Sequence, residues 1–558
     1  MNFPYSPTLD YLADTHQVTN VSHELANYNM YEQDIALQQA LHREGGGWAE
    51  EELRQFGALT GSADYLELGH LANKYPPEFD THDRFGHRVD AVKFHPAYHQ
   101  LMKMAIEHGL HASPWTEPRA GAHVVRAAKN ILQGQVEAGH GCPITMTFAA
   151  VPTIRLQPDI DQIWLPLISS RTYDPRNIPI EQKHGVTIGM GMTEKQGGSD
   201  VRANTTRAYP VAAQGSGQSY QIIGHKFFLS APMCDAFLVL AQTDNGLSCF
   251  LVPRWLSDGR KNPLQVLRLK RKMGNVSNAS SEVEFRGALG WLIGEEGRGV
   301  RTIIEMVSMT RFDCMVGSSA AQRMAVSQAL HHCSLRSAFG KKLIEQPLMQ
   351  NVLADLVLEY EGALAFTLRM ARALDNRSEP HEDLLVRLGT AVGKYWICKR
   401  TANHAYEAME CIGGSGVMED SMLPRLYREA PINAIWEGSG NVQCLDVLRA
   451  IHKTPAVLSA FFKEISLAQG QNSLLDTYVS TLQQDLTSMT DIEYRARDLV
   501  DRLALAFQAA LLLRYAPEAV STAFCCSRLG QSGHHNYGTL PQQVDVKAII
   551  SRAWPNMV

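Results

Sequence analysis

Val186-Thr-Ile-Gly-Met-Gly-Met-Thr-Glu-Lys-Gln-Gly-Gly-Ser-Asp200 opens a stretch whose texture differs from all that precedes it. From about 185 to 295, short apolar or alternating runs succeed one another. They are Ser219–Ser230 (SYQIIGHKFFLS), Ala236–Thr243 (AFLVLAQT), Leu247–Pro253 (LSCFLVP) and Ser281–Phe285 (SEVEF), separated by Gly, Asn, Asp and Pro. Runs of that length between turn formers predict an antiparallel sheet or a small barrel. Gly294–Val300 (GEEGRGV) closes it, and long helical patterns follow over Val300–His332, Leu348–Leu374 and Leu384–Met409. Gly413-Gly414-Ser415-Gly416 breaks the helical run, which resumes near Asn441. Upstream, residues 1–184 have helical spacing interrupted by loops such as Tyr75–Arg88. Downstream, residues 447–558 read as helical again, most clearly over Leu499–Ala516. The expected fold is mainly α with a central antiparallel β domain, in four regions: 1–184, 185–295, 296–446 and 447–558.

A chain of 558 residues is too long for one ordinary core and suggests three or four domains, at roughly 150 residues each. Its 45% apolar and 20% charged residues describe a folded soluble protein, and a net charge of −5 excludes a globally basic nucleic-acid coat. The N-terminus lacks the cationic-then-apolar pattern of a secretory signal. The best apolar stretch, Leu503–Leu513, is broken by Gln508 and ended by Arg514, too short to span a bilayer. A cytoplasmic protein with no membrane partner is expected. Ten scattered cysteines without CxxC spacing read as small buried hydrophobes in a reducing compartment. His95 and His99 share i, i+4 spacing but have no third ligand, and no metal is expected. Gly45-Gly46-Gly47 precedes a helix whose start carries Glu50, Glu51 and Glu52, carboxylates that favour the helix dipole and repel a phosphate.

Neither GxxxxGK[ST] nor a GxGxxG between strand and helix is present. Two other segments carry chemistry. Met190–Asp200 combines a Thr hydroxyl, paired glycines and a Ser in one loop, groups that hydrogen-bond a flat heterocycle and a phosphate; Gly-Gly-Ser-Asp is also a common turn. In Ile435–Asn441 (IWEGSGN), Glu437 lies between apolar residues and a Gly-rich turn, where desolvation raises a carboxyl pKa toward that of a base for removing a proton beside a carbonyl. The plainer reading is a buried Glu paired to Arg425 or Arg428.

The order TEKQGGSD, Phe228-Leu229-Ser230, Arg336-Ser-Ala-Phe339-Gly340, Cys411-Ile-Gly-Gly414 and WEGSG resembles the acyl-CoA dehydrogenase family. The resemblance implies FAD as cofactor, held by Met190, Thr193, Gly198 and Ser199 of the first motif and by Phe228, Leu229 and Ser230. Phe228 stands where the family usually has Trp against the isoalloxazine. Arg336 and Phe339 match residues that reach the FAD of a neighbouring subunit, implying at least a dimer. Gly413 and Gly414 match the next FAD segment, preceded by Glu410 where many relatives carry Gln. Trp436, Ser439 and Asn441 flank Glu437, which matches the catalytic base of many members. The implied reaction is α-proton removal by Glu437 with hydride transfer to the flavin, the thioester carbonyl polarised by the Glu437 N–H. Arg311 matches a position near the substrate, and Thr310 stands where some branches carry the base instead.

GMGMTEKQGGSDV, MTRFDC and RLYREAPINAIWEGSGNVQCLDVLRA, with long extensions at both ends, resemble more narrowly the AidB branch, flavoproteins of the adaptive response to DNA alkylation. That implies a tetramer, weak acyl-CoA dehydrogenase activity, double-stranded DNA as partner through the C-terminal region, and a small acyl-CoA or alkylating agent as ligand. Residues 447–558 hold ten Lys+Arg against nine Asp+Glu, a balance of only +1. Arg495, Arg497 and Arg502 are the candidates for a DNA-facing surface, with Asp498 and Asp501 interleaved. Arg268, Lys270, Arg271 and Lys272 form a second basic cluster. The alternative is a metabolic short- or branched-chain acyl-CoA dehydrogenase without DNA binding.

Overall fold

The computed structural model describes residues 15–530 and 536–555. Up to residue 184 the chain is mainly helical, with Ile35–Arg43, Glu50–Thr60, Ala63–Lys74, Pro96–Glu107, Ala122–Val136, Gly141–Ile154 and Pro158–Ile168 as its principal helices. Glu50, Glu51 and Glu52 occupy a first helical turn, as their charge favours. The Tyr75–Arg88 stretch, expected to be a loop, contributes to an antiparallel hairpin of β1 (Glu78–His82) and β2 (Arg88–Lys93). Tertiary contacts fix it: Arg88 donates to the Val266 carbonyl (2.6 Å) and Lys261 to that of Val89 (2.7 Å). No local pattern reports such contacts.

The central strands are β3 (Ile188–Gly191), β4 (Arg207–Pro210), β5 (Ser219–Ser230), β6 (Ala236–Thr243), β7 (Gly246–Pro253), β8 (Leu264–Leu269) and β9 (Ser280–Ile293). β5 pairs with β9, β9 with β7, and β7 with β6; β6 pairs with both β3 and β4, which return to β5. The sheet thus closes into a barrel, with β8 added along β9. Pairing is antiparallel except where β6 meets β3 and β4, which run parallel to it. β6 reads AFLVLAQT without alternation because seven of its eight residues are buried.

Three long helices follow, Gly299–Leu335, Pro347–Asp375 and Pro380–Ile412. The first is buried along most of its length, which is why its apolar residues form no single stripe. Arg126 grips Asp313 through both guanidinium nitrogens at 2.7 Å, and Thr145 adds a third bond to that carboxylate. This buried fork ties the N-terminal helices to the long helix. The Gly440–Lys453 helix runs through the boundary expected at residue 446, so the C-terminal block starts with the Ala456–Ser466 helix. Ser473–Thr487, Ala496–Tyr515, Glu518–Arg528 and Val546–Ala553 complete it. No helix among the described residues is long and apolar enough to cross a membrane.

Candidate active site

At the barrel mouth the Thr193–Asp200 loop is pinned from beneath. Glu194 and Lys226 are fully buried and lie 2.8 Å apart. Glu194 also accepts from the N–H groups of Thr205 (2.7 Å) and Thr206 (3.1 Å) and from Gln196 (2.7 Å). Burial alone would push its carboxyl up; the Lys226 ammonium and these donors outweigh that and hold it below the usual carboxylate range. Phe227 N–H donates to the Thr193 carbonyl (2.8 Å), joining loop to β5. Gly198 passes so close that a Cβ there would meet the Thr193 hydroxyl at 2.4 Å, so a larger residue would displace that hydroxyl.

Along β5 the side chains alternate. Phe228 is 43% exposed at the barrel edge, Leu229 is buried, and Ser230 is half-buried opposite Met190. Leu229 and Met190, both expected at the cofactor, therefore have their side chains in the core, and only their backbone groups remain for a ligand. Lys270 lies 3.1 Å from the Phe227 ring centroid and 4.8 Å from that of Phe228.

Glu437 stands across from this edge. It adopts a left-handed backbone (φ +56°), followed by Gly438 at +97°. Arg311 donates to the Glu437 carbonyl (3.0 Å), Gln443 to the same oxygen (3.0 Å), and Lys394 to the Trp436 carbonyl (2.8 Å). A Cβ at Gly438 would come within 2.5 Å of the Gln443 amide. The Thr310 hydroxyl lies 2.7 Å from the Glu437 carboxylate. Burial pushes the Glu437 carboxyl up, against the lowering effects of Thr310, Arg311 and Lys394. Its pairing to Arg425 or Arg428 is not found: Arg428 pairs with Glu419, and Arg425 donates to the Val136 carbonyl. Cys142, Glu437 and Ser230 are neighbours, and burial pushes the Cys142 thiol up to about 12, far from a nucleophile's range.

Arg311 is committed to this turn and to Asp446 (2.8 Å), which also takes Arg387 (2.9 Å). It positions Glu437 rather than offering a free guanidinium to substrate. Ser439 caps no backbone group at the start of the Gly440–Lys453 helix, and Asn441 accepts from Arg497 (2.8 Å). The roles of Lys394, Gln443 and Cys142 have no sequence signal beyond their nearness to motifs.

The single chain does not bring all the motifs together. Thr310 marks the Glu437 end of the long helix; Cys333, 23 residues on, is about 35 Å away at 1.5 Å per residue. Cys333 adjoins Cys411, so Arg336, Phe339, Gly413 and Gly414 gather at the far end. There Phe339 is fully exposed on a two-residue hairpin turn, and a Cβ at Gly413 or Gly414 would meet nothing.

The three C-terminal arginines do not form one free cationic face. Arg495 donates to the carbonyls of Ser488 (2.7 Å) and Thr490 (3.2 Å), Arg497 bonds Asn441, and Arg502 pairs with Asp485 (2.5 Å). Arg268 and Lys270 likewise share Glu282, and Lys272 donates to Ser280 and the Asn278 carbonyl. His95 caps the Pro96–Glu107 helix while His99 bonds Tyr173, and no metal-binding group is found among the described residues.

The barrel-edge ring of Phe228, the small-residue loop at Gly198 and the uncapped Ser439 suit a flat, hydroxyl-bearing cofactor, and a helical–barrel–helical architecture around a raised glutamate defines an acyl-CoA dehydrogenase. The acyl-CoA dehydrogenase middle-domain model matches residues 189–288 and the C-terminal-domain model residues 297–452. The N-terminal-domain model of adaptive response protein AidB matches residues 20–175. The chain is 48% identical to AidB of Escherichia coli (strain K12) over 93% of its own length and 95% of that protein's. It belongs to the acyl-CoA dehydrogenase family. Among solved structures it resembles Caenorhabditis elegans ACDH-11 in complex with C11-CoA (TM-score 0.86, 26% identity, 99% of both chains). It also resembles Bd2924 in its apo form (TM-score 0.82, 28% identity, 89% of this chain and 99% of that one). The family is one of FAD-dependent flavoproteins, and the protein is an acyl-CoA dehydrogenase-like oxidoreductase with FAD as cofactor.

Proposed function

We propose that Glu437 is the base that removes the α-proton of a small acyl-CoA. The observation that carries this is the half-buried Glu437 carboxylate, raised by burial and held against Thr310 on a turn fixed by Arg311, Gln443 and Lys394. A base whose pKa rises toward neutrality is better matched to an acidified C–H at physiological pH. Proton capture neutralises the carboxyl, the state its surroundings favour. The Glu437 N–H makes no hydrogen bond among the described residues and is free to polarise a thioester carbonyl. FAD, when bound, supplies the acceptor for the β-hydride. Thr193, Ser199, Phe228, Ser230, Ser439 and Asn441 hold it on one protomer. Arg336, Phe339, Gly413 and Gly414 complete the cofactor site of a second copy, a reading supported by their distance from Glu437 and by the full exposure of Phe339. The assembly is a homotetramer.

The biological reading is an AidB-type role: binding double-stranded DNA and protecting it against alkylation, with weak dehydrogenase activity. The 48% identity to the E. coli protein over nearly the full length of both chains, and the match to the AidB N-terminal domain model, support it over a metabolic dehydrogenase. Anaerobic titration with isovaleryl-CoA, following the oxidised-flavin band, tests the chemistry, and duplex DNA binding across a salt series tests the role. Slow bleaching that Glu437→Gln abolishes, with salt-sensitive DNA binding, is expected. Fast stoichiometric bleaching without DNA binding would make the protein a metabolic dehydrogenase. Unchanged bleaching by Glu437→Gln would remove Glu437 as base.

A further inference from the structure

The C-terminal block reaches back to the WEGSGN motif through one side chain. The Ala496–Tyr515 helix packs on both the Pro380–Ile412 and the Gly440–Lys453 helices, and its first turns bury Ala496, Leu499 and Val500. Its start is anchored on the segment before it. Arg495 donates to the carbonyls of Ser488 (2.7 Å) and Thr490 (3.2 Å), and Arg502 pairs with Asp485. From this anchored turn the exposed Arg497 extends its Nε–H to the side-chain oxygen of Asn441 (2.8 Å). The family's C-terminal-domain match ends at residue 452, so this guanidinium comes from outside the segment that carries the family's motifs.

That bond decides what Asn441 offers to a ligand. A guanidinium only donates, so the amide turns its oxygen toward Arg497 and its NH2 away from it. An untethered asparagine samples several rotamers and both amide orientations, and a ligand that uses it must freeze that freedom. The backbone beside Asn441 is held by other groups. Gln443 donates to the carbonyls of Glu437 (3.0 Å) and Gly438 (3.1 Å). A Cβ at Gly440 would lie 3.3 Å from the Tyr395 ring and 3.7 Å from the Lys399 ammonium, so the Pro380–Ile412 helix abuts the same turn. The turn is thus fixed from within residues 296–446, whereas the Asn441 side chain is fixed from the C-terminal block.

We propose that Arg497 is a positioning residue of the flavin site. It fixes the Asn441 amide so that its NH2 is presented as a donor to an acceptor atom of FAD, and through it the C-terminal block sets how tightly the cofactor is held. The inference rests on the reading of Asn441 as a cofactor residue. It assigns Arg497 to the cofactor rather than to a DNA-facing surface.

Equilibrium dilution of the FAD-loaded full chain, with free FAD measured in the filtrate by its oxidised-flavin absorbance, tests the assignment. Arg497→Met removes the donor and keeps the stem, and should weaken FAD binding about tenfold, the worth of fixing one side chain in advance. Arg497→Gln places an amide N–H as many bonds from the backbone as the arginine Nε–H and removes the charge, so it should retain most of the parent's affinity. Added to Asn441→Ala, Arg497→Met should cause no further loss, because it acts only through that amide. Arg497 is exposed, so far-ultraviolet circular dichroism should be the same in every variant. Parent-like binding by Arg497→Met, or losses that multiply in the double variant, would overturn the proposal. So would an Arg497→Gln loss as large as that of Arg497→Met, which would make the arginine a charge partner of the cofactor itself. In each of these cases a weakened Asn441→Ala leaves the cofactor reading of Asn441 standing. Parent-like binding by Asn441→Ala would remove that reading, and this inference with it.

Discussion

Two glutamates, one in each of the two motifs that carry chemistry, are treated in opposite ways. Glu194, under the Thr193–Asp200 loop, has a lysine at 2.8 Å and several N–H donors. Glu437, on its left-handed turn, has one hydroxyl at 2.7 Å and more distant cations. The first is locked as an anion; the second is pushed toward neutrality. The difference lies in the number of donors aimed at each carboxylate, and it separates a group that holds a loop from one that can exchange a proton.

The comparison breaks most sharply at Glu437 itself. Glu437→Gln keeps the shape and the Thr310 contact but cannot accept a proton, so stopped-flow flavin reduction by an acyl-CoA should fall by about 10²–10⁴-fold. Its circular dichroism should be unchanged. At the other glutamate, Lys226→Met leaves a buried carboxylate without its counter-ion and should cost about 3–5 kcal/mol in urea unfolding. Adding Glu194→Gln should restore much of that loss. If the single and double variants unfold alike, the ion pair does not hold the loop.

Thr310→Val sharpens the contrast by removing the one direct donor to Glu437. The carboxyl should rise further, moving the pH profile of flavin reduction about one unit to the alkaline side, as expected for losing a hydrogen bond to a charged group. The smallest effect concerns stability against pH. Burial pushes Glu429 and Asp375 up to about 7, above the values near 4 they have when unfolded. Their contribution is complete below those unfolded values and is lost as pH rises through about 7. Glu194 has the opposite sign, its contribution present at neutral pH and lost on acidification. The thermal midpoint should therefore fall modestly from pH 6 to 8, less so in Glu429→Gln, while the acid limb should flatten in the Glu194→Gln, Lys226→Met pair.

Much of this was legible in the sequence because the signals are local. The turn formers between Val186 and Phe285 mark the barrel, and the Gly-rich breaks at 413–416 and 438–440 mark where the long helices stop. The hairpin at 78–93 was not legible, since strands of five and six residues show little alternation and owe their place to Val266 and Lys261. The partners of the C-terminal arginines are illegible for a related reason. Helical spacing puts Arg495 and Arg502 on one face, but each is consumed by a partner at the end of the preceding helix, Ser488 and Asp485. Charge patterning along one helix does not report what the neighbouring helix supplies. The role of Lys394 was invisible for the same reason: nothing near it in sequence hints that two carbonyls of the Glu437 turn await its ammonium.

The left-handed backbone at Glu437 has a consequence for anyone who evolves this protein in the laboratory. A side chain in that conformation costs about 1 kcal/mol or more, and glycine adopts it freely. Burial of the carboxyl adds a second penalty at neutral pH. A library screened only for heat resistance will therefore enrich glycine at position 437, and its best survivors will be the most robust and the least reactive members. Selection for robustness and for turnover must be run together here, because at this one residue they pull in opposite directions.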